Sequence, residues 1–238
     1  MLDRIRLENI LFLDVETVPE QAAYEDLSPE TQELWELKTR NLRKEEITSE
    51  AFYERAGIWA EFGKIICISA GYFTGSGGTF RIRSFTGEEP QLLSAFSELL
   101  NTHYVGTRKF LCAHNGKEFD YPYLARRLLI HSLPLPEKLN LFGKKPWEIP
   151  LLDTMELWKF GDFKNYTSLR LLAHVLGIPS PKEDIDGSMV REVYYRDQNL
   201  ERIVRYCELD VITTARIFLR LKGEPLFEDD RIVRVNAE

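Results

Sequence analysis

Two carboxylates, Asp14 and Glu16, stand two residues apart at the end of an apolar run that covers residues 10–16. Such a run predicts a buried strand, and because side chains alternate along a strand, both carboxylates project from one face. Neighbouring carboxylates repel each other unless water solvates them or a cation lies between them. A divalent cation with oxygen ligands fits the second case. For this pair alone, a solvent-facing strand end remains the alternative.

Three further polar residues could contribute to the same chemistry. Tyr206 and Asp210 are four residues apart in an amphipathic stretch, residues 201–221, which predicts a long helix with both on one face. For this pair, the alternative is a tyrosine hydroxyl that meets its own aspartate at the surface. Asp120 lies at the start of a predicted helix, residues 119–131, where an aspartate often caps the first turn. A cap and a site residue both remain open for Asp120.

As a set, these residues are more informative than each of them alone. In chain order, Asp-x-Glu on a first strand, Asn-x-x-x-Phe-Asp at residues 115–120 and Tyr-x-x-x-Asp on a late helix resemble the DEDDy 3′-5′ exonucleases. The nearest likeness is to predicted stand-alone exonucleases related to the proofreading domain of family B DNA polymerases. It extends over residues 9–220, of which 18–62 match only loosely. The flanking segments that also fit are residues 13–17, 62–68 and 168–177.

The tyrosine distinguishes this chain from a sister group of the same nucleases. That group has a histidine five residues before the last aspartate, and Arg205 occupies this position here. The Tyr206 version of the site is therefore the one that the resemblance implies.

The resemblance implies a metal-dependent nuclease with a two-metal mechanism. Asp14, Glu16 and Asp210 would hold one ion, and Asp14 and the scissile phosphate would bridge to the second. Asp120 would act directly or through a metal-bound water, and Tyr206 would orient the attacking water. Mg²⁺ is the expected ion and Mn²⁺ could substitute, because the ligands are all oxygen atoms. The products would be 5′-mononucleotides released from a 3′ end.

The predicted substrate is the 3′ end of a single-stranded nucleic acid. DNA is favoured, and RNA is the runner-up because contacts to the 2′-hydroxyl lie outside the motifs. Basic side chains attract phosphates and aromatic rings stack on exposed bases, with ordinary solvated surface as the alternative for each candidate. The candidate substrate contacts are Thr17, Asn115, Phe119, Lys164 and Tyr166, together with the basic pairs Arg126-Arg127 and Lys144-Lys145.

Two readings of a different class stay open. The same fold could serve as a non-catalytic module that binds nucleic acid or a polymerase, although a retired site has no physical reason to keep four repelling carboxylates. A scaffold with an acidic helical arm rests on residues 18–62 alone. A replication or repair protein is a candidate partner, and the sequence does not define the oligomeric state.

The elements that must position these residues indicate one α/β domain over residues 1–238. Strands are predicted early and are then interleaved with helices, which indicates a mixed sheet flanked by helices. The resemblance implies that this sheet is ribonuclease-H-like, with five to six strands. Residues 18–62 form an acidic helical insertion after the first strand, with Leu34, Leu37 and Leu42 at helical spacing. The other predicted strands are residues 64–73, 79–85 and 109–113, and the other predicted helices are 90–100 and 167–176.

Composition and charge limit the classes of protein to which the chain can belong. The chain has 238 residues, 44% apolar and 29% charged, which excludes a disordered or low-complexity protein. Its net charge is −7, but residues 18–62 hold 11 acidic and 5 basic side chains, so the remainder is almost neutral and a phosphate-binding face there is not excluded. Three cysteines that cannot all pair indicate reduced thiols and a cytoplasmic protein. The sequence shows no leader and no apolar run long enough for a membrane span.

Overall fold

The computed structural model describes residues 2–75, 78–162, 166–179 and 185–235. Within them the strands are β1 (Ile10–Pro19), β2 (Gly63–Phe73), β3 (Phe80–Thr86), β4 (Phe110–Ala113), β5 (Leu152–Asp153) and β6 (Ile232–Arg234). The helices are α1 (Pro29–Thr39), α2 (Ser49–Phe52), α3 (Glu89–His103), α4 (Asp120–Ile130), α5 (Thr154–Lys159), α6 (Leu169–Val175), α7 (Val190–Tyr195) and α8 (Leu200–Lys222). Short 3₁₀ turns complete the connections.

The six strands form one mixed sheet in the order β5-β4-β1-β2-β3-β6. β1, β2 and β3 are antiparallel neighbours, whereas β4 runs parallel to β1, β5 parallel to β4, and β6 parallel to β3. This confirms the predicted mixed sheet flanked by helices. It also puts β1 in the middle of the sheet, where Ile10 and Leu11 are fully buried.

Alternation along β1 determines which helices the site faces. Leu11, Leu13 and Val15 pack into the apolar cluster that contains residues of α3 and α4. Ile10 and Phe12 pack into a second cluster with the apolar side of α8. Because side chains two residues apart share a face, Asp14 and Glu16 continue the row that faces α8.

The edge of β1 is exposed to a cleft because its neighbour is short. Among the described residues, β4 pairs with β1 no further than Phe12, opposite Cys112. Beyond this point β1 continues along β2 alone, and the ladder shifts register between Glu16 and Thr17. A bulge of this kind re-aims side chains and is common beside active sites.

The acidic insertion has a small core of its own, built around Trp35 rather than around leucines. Trp35 is fully buried, contacts the rings of Phe52, Tyr53 and Phe62, and donates its indole N–H to the Ser49 carbonyl at 2.8 Å. The helical spacing of Leu34, Leu37 and Leu42 does not mark a buried face, since each exposes more than a third of its surface. One large ring fills the space beneath α1, which leaves the leucines outside.

The remaining differences from the sequence prediction are local. α6 begins at Leu169, after Ser168 accepts a hydrogen bond from the Leu171 N–H, so the first two residues of the predicted helix lie outside it. The sequence analysis did not predict α5, α7 or β6. The cysteines are free and buried, as expected for reduced thiols. Within the described part of the chain, none of the helices combines the length and apolar character needed to cross a membrane.

Candidate active site

The floor of the cleft is built where β1 meets α8. Glu16 is buried and Asp14 is partly buried. A carboxylate oxygen of each and the Sγ atom of Cys207 all lie within 4.8 Å of one another. Cys207 also donates its thiol hydrogen to the Asp14 carbonyl at 3.4 Å, which ties α8 to the strand. The two carboxylates of the first motif therefore point at the helix that carries the last motif.

Tyr206 and Asp210 lie one turn apart on α8 and line the same cleft as Asp14 and Glu16. The apolar stripe of α8, including Val211, packs on the sheet, which leaves these two residues at the border between the core and the cleft. Asn199 caps the start of the helix by accepting a hydrogen bond from the Arg202 N–H. Both side chains are partly buried.

Asp120 reaches the cleft from the first turn of α4 and is buried. It does not act as a helix cap: α4 begins without a side-chain cap, and the Oδ1 atom of Asp120 has no hydrogen-bond partner within the described ranges. Burial, together with the nearby charge of Asp153, raises the pKa of Asp120 to about 7. The structure therefore favours the interpretation of Asp120 as a site residue.

The loop between β4 and α4 is held by a different carboxylate. Asp153 is buried, and its Oδ1 and Oδ2 atoms accept hydrogen bonds from the N–H groups of Asn115 and Lys117, each at 3.0 Å. It also accepts the Met155 N–H at 2.9 Å, which caps α5. Asn115 has a φ of 61°, a left-handed conformation that asparagine tolerates better than most residues. Asp153 is thus a structural support for the Asn115–Asp120 motif.

The acid cluster, defined here as Asp14, Glu16, Asp120 and Asp210, brings four carboxylates to one cleft. Burial raises the pKa of Asp14 well above its usual range, and the charges of Glu16, Asp210 and Asp120 raise it further. The pKa of Glu16 is also raised, by burial first and then by Asp210. Among the described residues, no lysine or arginine forms an ion pair with Asp14, Glu16 or Asp120.

These residues fit a divalent cation. The Oδ2 atom of Asp14 and the Oδ1 atom of Asp120 are buried and have no hydrogen-bond partner in the part of the chain that the structure describes. Buried lone pairs in this state are costly unless a donor or cation meets them. Carboxylate oxygens are the ligands that Mg²⁺ and Mn²⁺ prefer. The Cys207 thiol donates to the Asp14 carbonyl, and hard ions of this kind prefer oxygen to sulfur, so the carboxylates are the fitting donor set.

The cleft above the acid cluster has a volume of about 1460 Å³. Four of the five predicted substrate contacts, Thr17, Asn115, Phe119 and Tyr166, line it. Lys164 lies outside the described residues. The Oδ1 atom of Asn115 is buried without a hydrogen-bond partner among the described residues, and Phe119 rests on the ring of Tyr123 at 5.3 Å. Tyr166 is exposed at the rim.

The basic pairs proposed as phosphate contacts do not line the cleft. Arg127 is buried in an ion pair with Glu89, so its assignment as a substrate contact is wrong. Arg126, Lys144 and Lys145 are exposed and remain outside the lining. The Arg126-Arg127 pair in the sequence does not indicate the ion pair, because Glu89 lies on another helix.

The sequence analysis missed other residues that line the cleft. His114 is next to the Asn115 motif, and its ring nitrogens hydrogen-bond the Thr154 hydroxyl and the Thr167 carbonyl, both at 2.9 Å. The sequence signal that could have identified His114 is its position directly before Asn115. Arg55 and Ile58 reach the cleft from the insertion, and no spacing rule points to them.

The chain was compared with known proteins and structures. No curated protein matches it significantly. The X-ray structure of the RNase domain of the yeast Pop2 protein is similar at 15% identity with a TM-score of 0.38, over 85% of this chain and 76% of that chain.

A family model described as "Predicted 3'-5' exonuclease related to the exonuclease domain of PolB" matches residues 58–224. The matched segment includes Asp120, Tyr206 and Asp210, while Asp14 and Glu16 precede it and join them through the fold. An exonuclease family of this kind implies a nucleic acid substrate and a dependence on divalent metal. The chain belongs to the family of predicted 3′-5′ exonucleases related to the exonuclease domain of PolB.

Proposed function

We propose that this protein is a metal-dependent 3′-5′ exonuclease that shortens single-stranded DNA and releases 5′-mononucleotides by a two-metal mechanism. The proposal treats residues 1–238 as one exonuclease domain with residues 18–62 inserted in it. The observation that carries it is the acid cluster: carboxylates from β1, α4 and α8 line one cleft, and those of Asp14, Glu16 and Asp120 have raised pKa values.

The proposed metal ligands are Asp14, Glu16, Asp120 and Asp210. The Asp14 Oδ2 and Asp120 Oδ1 atoms support this assignment, since both are buried without a hydrogen-bond partner among the described residues. Divalent ions in such a site supply activation of water, charge stabilisation on the phosphate oxygens and assistance to the departing 3′-oxygen. A carboxyl group must lose its proton to bind a cation, so the raised pKa values of Asp14, Glu16 and Asp120 make binding weaker in acid.

We assign Tyr206 the role of orienting the attacking water. A tyrosine hydroxyl ordinarily stays protonated at neutral pH, so it can donate a hydrogen bond but is a poor base. Its position one turn from Asp210 puts both residues on the side of α8 that lines the cleft.

The cleft walls suit a strand whose bases are unpaired. Phe119 offers a ring at the border of the core, and Tyr166 offers an exposed ring at the rim, where successive bases can stack. Thr17 and Asn115 supply polar groups next to the acid cluster, and Lys164 is retained as a proposed phosphate contact. An exoribonuclease with the same site remains the second candidate. We further propose a cytoplasmic location and a replication or repair protein as partner.

The test is a time course on a 5′-labelled single-stranded DNA and its RNA counterpart, with Mg²⁺, Mn²⁺ or EDTA. Asp210→Asn is the site variant. Asp230→Asn is the matched control, because Asp230 is exposed and does not line the cleft. We expect a metal-dependent ladder that shortens from the 3′ end in wild type and in the control and is lost in Asp210→Asn. The faster of the two substrates identifies the preferred sugar. Absence of cleavage of both, or full activity of Asp210→Asn, would contradict the proposal.

A further inference from the structure

The acidic insertion contributes directly to the wall of the cleft. Its 3₁₀ turn, Tyr53–Ile58, places Glu54, Arg55, Gly57 and Ile58 among the lining residues. Residues 18–57 precede the segment that matches the exonuclease family, so the proposed function assigns no role to most of this turn.

The turn is anchored one residue from the acid cluster. The Gly57 carbonyl accepts hydrogen bonds from the Thr17 hydroxyl at 2.7 Å and from the Tyr123 hydroxyl at 2.9 Å. Thr17 directly follows Glu16. A Cβ atom at Gly57 would lie 3.0 Å from the Val18 backbone, so only glycine lets the turn approach β1 this closely. The wall is therefore held in a defined position beside the carboxylates.

Arg55 is the basic residue that the insertion directs to the cleft. Its guanidinium lies 5.4 Å from the centre of the Phe52 ring, and within the described ranges it forms no ion pair. The insertion's other basic residues, Lys38, Arg40, Arg43 and Lys44, do not line the cleft. The adjacent Glu54 lies 3.8 Å from Arg191, which offsets its charge. Arg55 thus has free donors in a segment that is otherwise acidic.

We propose that Arg55 and Ile58 bind the substrate strand, an inference that rests on the proposed function. A nucleic acid that approaches four carboxylates meets like charge, and an arginine in the wall offsets that repulsion where a backbone phosphate must pass. Its planar guanidinium suits a phosphate, and its contact with the Phe52 ring favours a position in the wall. Ile58 exposes 48% of its surface in the same wall and packs against a sugar or base.

The binding test uses a fluorescein-labelled 12-nucleotide oligo(dT) with Mg²⁺ in an Asp210→Asn background, which prevents cleavage. Fluorescence anisotropy gives Kd from 50 to 200 mM NaCl for Arg55→Gln and for Arg40→Gln. Arg40 lies at the end of α1 and provides the same change of charge in the same insertion. We expect Arg55→Gln to weaken binding by about 5- to 10-fold at low salt and to lower the slope of log K against log[salt] by about 0.7, the loss of one phosphate contact to a single strand. Arg40→Gln should leave the slope unchanged.

Ile58→Ala provides a second variant with a different signature. It removes apolar contact but no charge, so we expect binding to weaken by about 3-fold with an unchanged salt slope. Ile47→Ala, which changes another partly exposed isoleucine of the insertion, is its control. Equal Kd values and slopes for Arg55→Gln and Arg40→Gln, when wild type cleaves the same oligonucleotide, would overturn this inference alone. No cleavage by wild type and no binding by the background variant would overturn the proposed function with it.

Discussion

Two of the charged clusters in the described part of the chain differ in where their positive charge comes from. In the ion-pair cluster, Glu89, Arg127 and His131, the chain supplies its own cation. Glu89 accepts hydrogen bonds from Arg127 Nε at 2.8 Å and from the Ile65 N–H at 2.7 Å, and its other oxygen lies 2.7 Å from His131 Nε2. Burial alone would raise the pKa of Glu89, but the hydrogen bonds outweigh it and hold the pKa below its usual range.

In the acid cluster, the effects that raise the carboxylate pKa values outweigh those that lower them. Burial and neighbouring carboxylates raise the pKa values of Asp14 and Glu16, and burial with the charge of Asp153 raises that of Asp120 to about 7. The difference shows that a buried carboxylate paired with a cationic side chain of the same protein has a structural role. Here, Glu89 joins α3 to α4 and β2 in this way. Carboxylates such as Asp14, Glu16 and Asp120, which form no ion pair with a lysine or arginine among the described residues, create a demand that a cation from solution can meet.

Asp14→Asn tests the acid cluster with the largest expected effect. We expect hydrolysis to fall by about 10³-fold or more. The proposed metal site loses one carboxylate ligand, and with it the stabilisation of charge in the transition state. The free energy of unfolding without metal should be unchanged or higher, since one repelling carboxylate is removed. Initial rates on labelled DNA and urea unfolding measure the two effects. Near-normal hydrolysis would separate the acid cluster from the chemistry.

Glu89→Gln tests the ion-pair cluster and should give the opposite result. We expect the free energy of unfolding to fall by about 4 kcal/mol, because the buried Arg127 charge loses its main partner. Hydrolysis per folded molecule should be retained, because Glu89 does not line the cleft. Urea unfolding and the rate below the transition measure this variant. A loss of hydrolysis in protein shown to be folded would mean that the two clusters are not functionally separate.

Asp153→Asn addresses a third buried carboxylate, which is satisfied by backbone N–H groups and not by a cation. The amide cannot accept at both positions, so the hydrogen bond from Asn115 or from Lys117 is lost. We expect a destabilisation of about 2 kcal/mol, the value typical of a hydrogen bond to a charged group. Thermal unfolding measures the loss of stability, and separate values of KM and kcat measure the effect on the site. An unchanged stability would show that these bonds do not hold the loop.

The periodicities of strand and helix made the central strands and the faces of β1 and α8 predictable, and the resemblance to the DEDDy exonucleases joined the candidate site residues into one set. A period of two put Asp14 and Glu16 on one face of β1, and a spacing of four put Tyr206 and Asp210 on one side of α8. Apolar runs identified the central strands because a buried strand leaves a strong local pattern. These features depend on residues within one element.

Features that depend on contacts between distant elements were not predictable. Arg127 pairs with Glu89, 38 residues away on another helix, whereas its sequence neighbourhood indicates only a candidate phosphate contact or solvated surface. The buried face of α1 is the one that carries the Trp35 ring, which packs against aromatic neighbours, and not the one predicted from the leucine spacing. Arg55 reaches the cleft because Gly57 allows a close approach to β1, and no local pattern reports that packing.

Calorimetric titration of Mn²⁺ into the metal-free protein tests the central claim most directly. It would be run at pH 7 in two buffers of different ionisation enthalpy, for wild type, Asp14→Asn and the control Asp230→Asn. We predict saturable binding to wild type and control with release of protons to the buffer, because Asp120 has a pKa of about 7 and must ionise to bind. Binding should weaken as the pH falls below 7 and should be lost in Asp14→Asn. Absence of binding to wild type, or equal binding by Asp14→Asn, would contradict the claim that the acid cluster requires an external cation.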